Sequence, residues 1–172
     1  NIEKMDGMMG LGHLRYPTSG IINDKEIQPF VLNNIVLCHN GTIANYKELI
    51  VEYKNKISMN SESDSELLLN IFCYELKNNM NNEEKLTNET ILKVIKIIYN
   101  KCKGGYSVII MIPEFGLVCF KDPYGIRPLV YGKYKENYII SSESVSISNL
   151  CEDSKIIKEI EGGETVILKN IN

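Results

Sequence analysis

Leu37-Cys38-His39-Asn40-Gly41-Thr42 is the stretch on which the reading of the fold turns. A short apolar run, Ile35 to Leu37, leads into it, and a helical pattern, Asn45 to Lys54, leads away. Asn-Gly behind an apolar strand is the strongest short-range signal for a type I′ hairpin. A hairpin needs a second alternating strand after the turn, and none follows. Ile43, Tyr46, Leu49, Ile50 and Tyr53 instead recur at spacings of three and four, the period of one helix face. Asn45 can cap that helix, with Glu48 three residues on as its capping-box partner. Asn-Gly is therefore expected at a strand-to-helix junction, where backbone N–H groups and a side-chain amide can be aimed at a ligand. The plain hairpin is the alternative.

At 172 residues, 44% hydrophobic and 24% charged, the chain suits one globular domain with a sizeable core. It has no run of about 18 apolar residues, so no segment is expected to span a membrane. A net charge of −3 argues against an electrostatic nucleic-acid footprint. Cys38, Cys73, Cys102, Cys119 and Cys151 are widely spaced, odd in number and without a C-x-x-C pair. That usage predicts neither a disulfide framework nor a zinc site, and points to a reducing, cytoplasmic setting. Of 19 basic residues only Arg15 and Arg127 are arginines, both in Gly- and Pro-bearing loops where a rigid bidentate fork has most use. Both histidines, His13 and His39, also fall in motif-like stretches. The opening Asn1 to Gly7 has neither an initiator Met nor the apolar core of a signal peptide, and the expectation is a fragment of a longer protein.

Leu11 to Tyr16 alternates as a strand does, and Pro17 to Gly20 reads as the loop that ends it. An arginine at such a strand end can hold a carboxylate bidentately, or stand as a solvated surface charge. Asp24 to Phe30 reads as a polar connector. Cys38 beside His39 invites a nucleophile–base dyad, but neighbours on a strand point to opposite faces, so Cys38 is read as a small buried hydrophobe. Ser63-Asp64-Ser65-Glu66 opens a helix over Leu67 to Leu76, with Ser63 and Glu66 at capping-box spacing. Asp64 in its first turn suits the helix dipole and equally suits a bound ammonium group; nothing local separates the two uses.

Lys77 to Glu84 reads as a polar loop, and Thr87 or Asn88 starts a helix that reaches about Cys102 and stops at Gly104-Gly105. Strands are expected over Tyr106 to Ile112, Leu117 to Phe120, Leu129 to Tyr131 and Tyr138 to Ile140. A short helix within Ser142 to Leu150 and two closing strands, Ile156 to Ile160 and Glu164 to Leu168, complete the chain. The runs Val108 to Ile112 and Leu117-Val118 are apolar on both faces, as in a sheet covered on both sides. Asp122 to Leu129 is a rigid loop, dense in Pro and Gly, with no chemistry assigned to it.

Four ordered motifs carry a family resemblance: Gly12-His13-x-Arg15-Tyr16-Pro17-Thr18, His39-Asn40-Gly41, Ser63-Asp64-Ser65-Glu66 and Asp122-Pro123-x-Gly125-x-Arg127-Pro128-Leu129. In this order they resemble the class II, N-terminal-nucleophile glutamine amidotransferase domain, over about Gly10 to Val166. Within the class the wording is similar to the amidophosphoribosyltransferase family, which makes phosphoribosylamine from glutamine and phosphoribosyl pyrophosphate in the first step of purine synthesis. The alternatives are the glutaminase domain of a glutamine-fructose-6-phosphate or asparagine-forming family, or a domain that only binds an amino acid.

The resemblance implies an α+β fold: a four-layer αββα sandwich with two mostly antiparallel sheets, here incomplete at the N-terminus. It implies an N-terminal cysteine nucleophile with its own α-amine as base, a group that titrates at about 7.7–8.0. Carried over by motif, Arg15 would hold the glutamine α-carboxylate, Asp64 its α-ammonium, and Thr18 would add a contact. The Asn40 side chain and the Gly41 N–H would form the oxyanion hole, with no metal at the site. The departure is that the chain begins at Asn1 with no cysteine near it. Residues 1–172 are therefore expected to be a partial domain without its nucleophile, inactive alone, followed by a phosphoribosyltransferase domain. No cofactor is implied for this segment; magnesium, with an iron–sulfur cluster left open, would belong to the downstream region. Glutamine, the downstream domain and a second copy of the chain in a homo-oligomer are the implied partners, without nucleic acid or membrane.

Overall fold

The computed structural model describes residues 6–14, 24–80, 85–150 and 157–169. After a 3-10 turn at Asp24–Glu26 come β1 (Phe30–Leu32), β2 (Ile35–Ile43), α1 (Tyr46–Tyr53), α2 (Asp64–Asn79) and α3 (Asn88–Lys101). There follow β3 (Gly104–Ile112), β4 (Gly116–Lys121), β5 (Val130–Tyr134), β6 (Asn137–Ser141), α4 (Ser144–Ser148), β7 (Lys158–Glu159) and β8 (Thr165–Lys169). One sheet has the order β1-β2-β3-β4-β8, the other β6-β5-β7, and every pairing is antiparallel.

Period-two alternation in β-branched strands sorts the core into layers. On one face of the larger sheet Leu37, Ile43, Tyr106, Val108, Ile110, Val118 and Phe120 pack with α1, α2 and α3 through Leu49, Tyr53, Leu68, Phe72, Ile91 and Ile95. On its other face Ile109, Leu117, Cys119 and Val166 meet Leu129, Tyr131, Ile140 and Ile160. The far side of the smaller sheet closes on α4, where Val130 and Ile139 surround Ile147. The layers run α, β, β, α, and burying each large apolar side chain stabilises them by roughly 1.5–3 kcal/mol. The expected αββα sandwich is present, and the strands expected to be apolar on both faces are the ones between helices and second sheet.

Several local expectations are corrected. Asn40-Gly41 is neither a turn nor the junction: β2 runs through it, pairing Asn40 with Ser107 and Gly41 with Tyr106, and the chain leaves the sheet only after Ile43. The hairpin lies earlier, at Asn33-Asn34, whose φ values of 52° and 64° fit a two-residue turn between β1 and β2. The Asp24-to-Phe30 connector thus ends in a short strand. Asn45 precedes α1 without capping it; its amide donates to Lys101 O at 2.9 Å and accepts from Lys103 N at 2.8 Å, clasping the α3–β3 connection.

Gly104-Gly105 opens β3 instead of stopping α3, which ends at Lys101; a Cβ on Gly104 would lie 2.1 Å from Thr42 O, so the close pairing with β2 requires glycine there. Ser63 Oγ accepts from Ser65 N at 3.3 Å, whereas Glu66 turns away to Asn60 N at 2.8 Å and Ser61 N at 2.7 Å, so the capping box is not formed. Residues Gly10 to Leu14 form no strand, and Leu14 is 100% exposed, so the alternation has no sheet to pack on. α2 continues to Asn79, past the expected start of the polar loop; β7 is shorter than the expected strand, and β8 lies one residue later than expected.

Candidate functional site

The later half of β2 is the floor of a cavity of about 850 Å³ that reaches from the start of α2 to β6 and α4. Cys38, Asn40 and Thr42 alternate on the row facing the second sheet, while His39 lies on the row facing the helices. Gly41 has φ +142°, and a Cβ there would stand 2.1 Å from Gly105 O and 2.7 Å from Tyr106 Cα. Only glycine lets β2 and β3 approach this closely.

The outer edge of β2 is finished by side chains. Its pairing with β1 ends at Leu37, opposite Phe30. Beyond that point the Gln28 amide stands in for a strand: its Oε1 accepts from His39 N at 2.7 Å and its Nε2 donates to His39 O at 3.0 Å. Two N–H groups further along, Ile43 N donates to Asp64 Oδ2 at 2.9 Å. Antiparallel alternation puts the Gly41 N–H on this same edge, midway between those two and away from β3. Asn40 and Gly41 both line the cavity, one bringing a side-chain amide and the other a backbone donor.

Asp64 occupies the first position of α2 and lines the same cavity, with its side chain 26% exposed. Its Oδ1 lies 3.7 Å from His39 Nδ1, which is also 2.9 Å from Ser65 Oγ. Burial lowers the His39 pKa below the ordinary histidine value, against the upward pull of Asp64 and together with the charges of His13 and Arg127. The imidazole is therefore neutral at neutral pH, and the Asp64 charge is left for another cation. Cys38 points to the other side of the strand from His39, and burial pushes its thiol up to about 12, so the two do not act as nucleophile and base.

Asn40, Gly41 and Asp64 thus line one cavity, while Arg15 and Thr18 lie outside the described residues. Gly12, His13 and Leu14, which lead directly to Arg15, line the cavity. Arg127 and Glu143 line it from the opposite side, and no sequence reading had assigned them to it. The signal for Arg127 was present: it is one of two arginines, held in a loop whose backbone N–H groups at Tyr124 and Ile126 bond the Asp122 carboxylate at 2.9 and 3.0 Å. Gln28 carried no signal, since nothing local marks an amide that will extend a strand. Among the described residues no three His, Cys, Asp or Glu side chains gather as a metal-binding set. One fixed anion, a side-chain amide and a backbone donor around a half-open cavity suit a small zwitterion whose carbonyl is to carry negative charge.

Residues 13–149 match the family described as a glutamine amidotransferase domain. Over 98% of its length the chain is 38% identical to the amidophosphoribosyltransferase of Pseudomonas aeruginosa, of which it covers 34%. It is 37% identical to the Escherichia coli amidophosphoribosyltransferase over 98% of the chain and 34% of that protein. The Schizosaccharomyces pombe amidophosphoribosyltransferase is 37% identical over 99% of the chain and 33% of its own length. Among solved structures, the glutamine phosphoribosylpyrophosphate amidotransferase of B. subtilis superposes with a TM-score of 0.66 at 26% identity, over 92% of this chain and 32% of that one. The chain spans about a third of the length of the curated relatives it matches.

Proposed function

The chain belongs to the glutamine amidotransferase domain family, and from that premise we propose that it is the glutamine-binding part of an amidophosphoribosyltransferase. The observation that supports this most directly is the shared cavity of Asp64 and the Asn40–Gly41 edge of β2. Asp64 holds the α-ammonium of glutamine, Arg15 its α-carboxylate, and Thr18 adds a contact beside them. A cysteine thiolate adds to the side-chain amide carbon, and the oxyanion that develops is met by the Asn40 amide and the Gly41 N–H. Expulsion of ammonia leaves a thioester, and water cleaves it to glutamate.

The described cysteines are unsuited to the attack. Burial pushes Cys38, Cys102 and Cys119 up to about 12 and Cys73 to about 11, so each is a thiol at neutral pH. The nucleophile proposed is a processed N-terminal cysteine of the longer protein. The same reading gives that protein a phosphoribosyltransferase domain in which the ammonia displaces pyrophosphate from phosphoribosyl pyrophosphate. Magnesium, and any iron–sulfur cluster, are assigned to that domain. A homo-oligomer in the cytoplasm completes the reading; among the described residues no helix is long and apolar enough to cross a membrane.

The test compares glutamine-supported and ammonia-supported phosphoribosylamine formation by the full-length protein. Asn40→Ala should lower kcat with glutamine by about 10²–10³-fold, the usual effect of losing one oxyanion donor. The KM for glutamine should change little, and the ratio of ammonia- to glutamine-supported rate should rise by the same factor. A rise in KM with kcat retained, or equal loss with both nitrogen sources, would refute the oxyanion assignment.

A further inference from the structure

The ammonium anchor and the oxyanion edge stand on different layers of the fold. Asp64 begins helix α2, whereas Asn40 and Gly41 lie within strand β2. Glutamine must bridge them, so their separation sets the alignment of its amide with the donors. Misplacement by about 1 Å in such a geometry costs on the order of 10²-fold in rate. Something has to hold the helix start against the strand, and two contacts do so. Ile43 N donates to Asp64 Oδ2 at 2.9 Å, and His39 Nδ1 lies 2.9 Å from Ser65 Oγ and 3.7 Å from Asp64 Oδ1. They flank Gly41 on either side along the strand.

His39 is built for this task. Its backbone is clamped in both directions by the Gln28 amide, so the base of the ring is fixed in the strand. His39 is 3% exposed, and Ser65, which its ring meets, is 2% exposed, so water does not compete for the contact. A carboxylate only accepts, and its closeness to Nδ1 selects the tautomer with the proton on that atom, facing Asp64 and Ser65. Nε2 then carries a lone pair that has no hydrogen-bond partner among the described residues. The ring therefore works through one nitrogen, and that nitrogen points at the start of α2.

We propose that His39 is a positioning residue: through Nδ1 it ties Ser65 and Asp64 at the start of α2 to strand β2, and so sets the distance between the ammonium anchor and the oxyanion edge. This rests on the glutamine-binding reading of Asp64 given above. It differs from a base or nucleophile role, because the ring acts on the site through Ser65 and Asp64.

The two nitrogens of the ring can be separated by substitution. In His39→Asn an amide nitrogen sits one bond from Cγ, where Nδ1 was; in His39→Gln it lies further out, near the place of Nε2. Both variants are made in the full-length protein and assayed with glutamine and with ammonia. His39→Asn should keep the KM for glutamine within about threefold of the parent. His39→Gln should raise it by tenfold or more, with the ammonia-supported rate the same in both. Equal KM values for the two variants, or loss of the ammonia-supported rate in step with the glutamine-supported one, would overturn the positioning role. If the unsubstituted protein uses ammonia but never glutamine, it is the functional reading that falls; His39 alone is refuted only when the parent uses glutamine and the two variants behave alike.

Discussion

Asp64 and Asp122 are two aspartates set at the ends of regular elements, both accepting hydrogen bonds from backbone N–H groups. Asp122 follows β4 directly and is 0% exposed. Its carboxylate accepts from Tyr106 N at 3.1 Å, Tyr124 N at 2.9 Å and Ile126 N at 3.0 Å. Asp64 begins α2, is a quarter exposed, and among the described residues the backbone N–H it takes is that of Ile43. One carboxylate is saturated and sealed; the other keeps acceptor capacity and a face on the cavity. Glu66, two residues along the same helix, belongs with Asp122, because the N–H groups of Asn60 and Ser61 and the Ser61 hydroxyl occupy it. A carboxylate used up by the backbone shapes a loop, and one left partly free can meet a ligand. Residue type and helix position do not distinguish them; the number of donors and the exposure do.

The largest effect should come from the saturated member. Asp122→Ala would leave three N–H groups without their acceptor, that of Tyr106 buried and those of Tyr124 and Ile126 partly buried. Each unsatisfied donor costs roughly 1–3 kcal/mol, and with partial relaxation the loss should be about 3–5 kcal/mol. In a chain of 172 residues that is a drop in Tm on the order of 10 °C. Denaturant unfolding at pH 7 measures it, and a change under 1 kcal/mol would show that the loop is held by its Pro and Gly residues alone.

Asp64→Asn should do the reverse. The amide oxygen can still accept from Ile43 N, so stability should move by no more than about 1 kcal/mol. The charge that faces the cavity is gone, and the KM for glutamine in the full-length protein should rise tenfold or more, a change of about 1.4 kcal/mol or above. A large loss of stability with an unchanged KM would place Asp64 beside Asp122 and remove the contrast.

Much of the fold was readable in the sequence, because the signals for the sheets are local and redundant. The β-branched run Val108 to Ile112, the helical spacing of Ile91, Val94, Ile95 and Ile98, and the Thr87 cap all describe their own surroundings. Several misreadings share a cause: a polar side chain or a glycine whose decisive partner lies outside its own element. Asn45 has the right place to cap α1, yet its amide bonds Lys101 and Lys103 across the sheet junction. Glu66 has capping-box spacing, yet neighbouring backbone donors outside the helix claim it. Asn40-Gly41 has the wording of a hairpin, but β3 brings its own glycine alongside and keeps the strand going. The Asn33-Asn34 turn was missed because asparagines at positive φ carry a weaker signal than Asn-Gly. For the site, the motifs supplied Asn40, Gly41 and Asp64, while Gln28, Arg127 and the tie through His39 needed the tertiary structure.

The smallest predicted effect concerns what keeps Asp64 available. Burial lowers the His39 pKa below the ordinary value near 6.5, Asp64 pulls it back up, and His13 and Arg127 push it down again. The unfolded chain therefore binds a proton at His39 at a higher pH than the folded one does. Stability is unaffected by this residue well above pH 6.5, falls as pH drops through the unfolded value, and stops falling once the folded form is protonated as well. The slope cannot exceed one proton, about 1.4 kcal/mol per pH unit. His39→Asn removes the titration and keeps a hydrogen-bonding group at the same place. The stability of the parent relative to this variant should thus decline between about pH 7 and pH 5.5 in urea unfolding. A difference that stayed flat would mean that folding leaves the proton affinity of His39 unchanged; one that grew as the pH fell would mean that His39 is charged in the fold and paired with Asp64. The carboxylate would then be neutralised from within the protein, and the contrast between an occupied Asp122 and an available Asp64 would be lost.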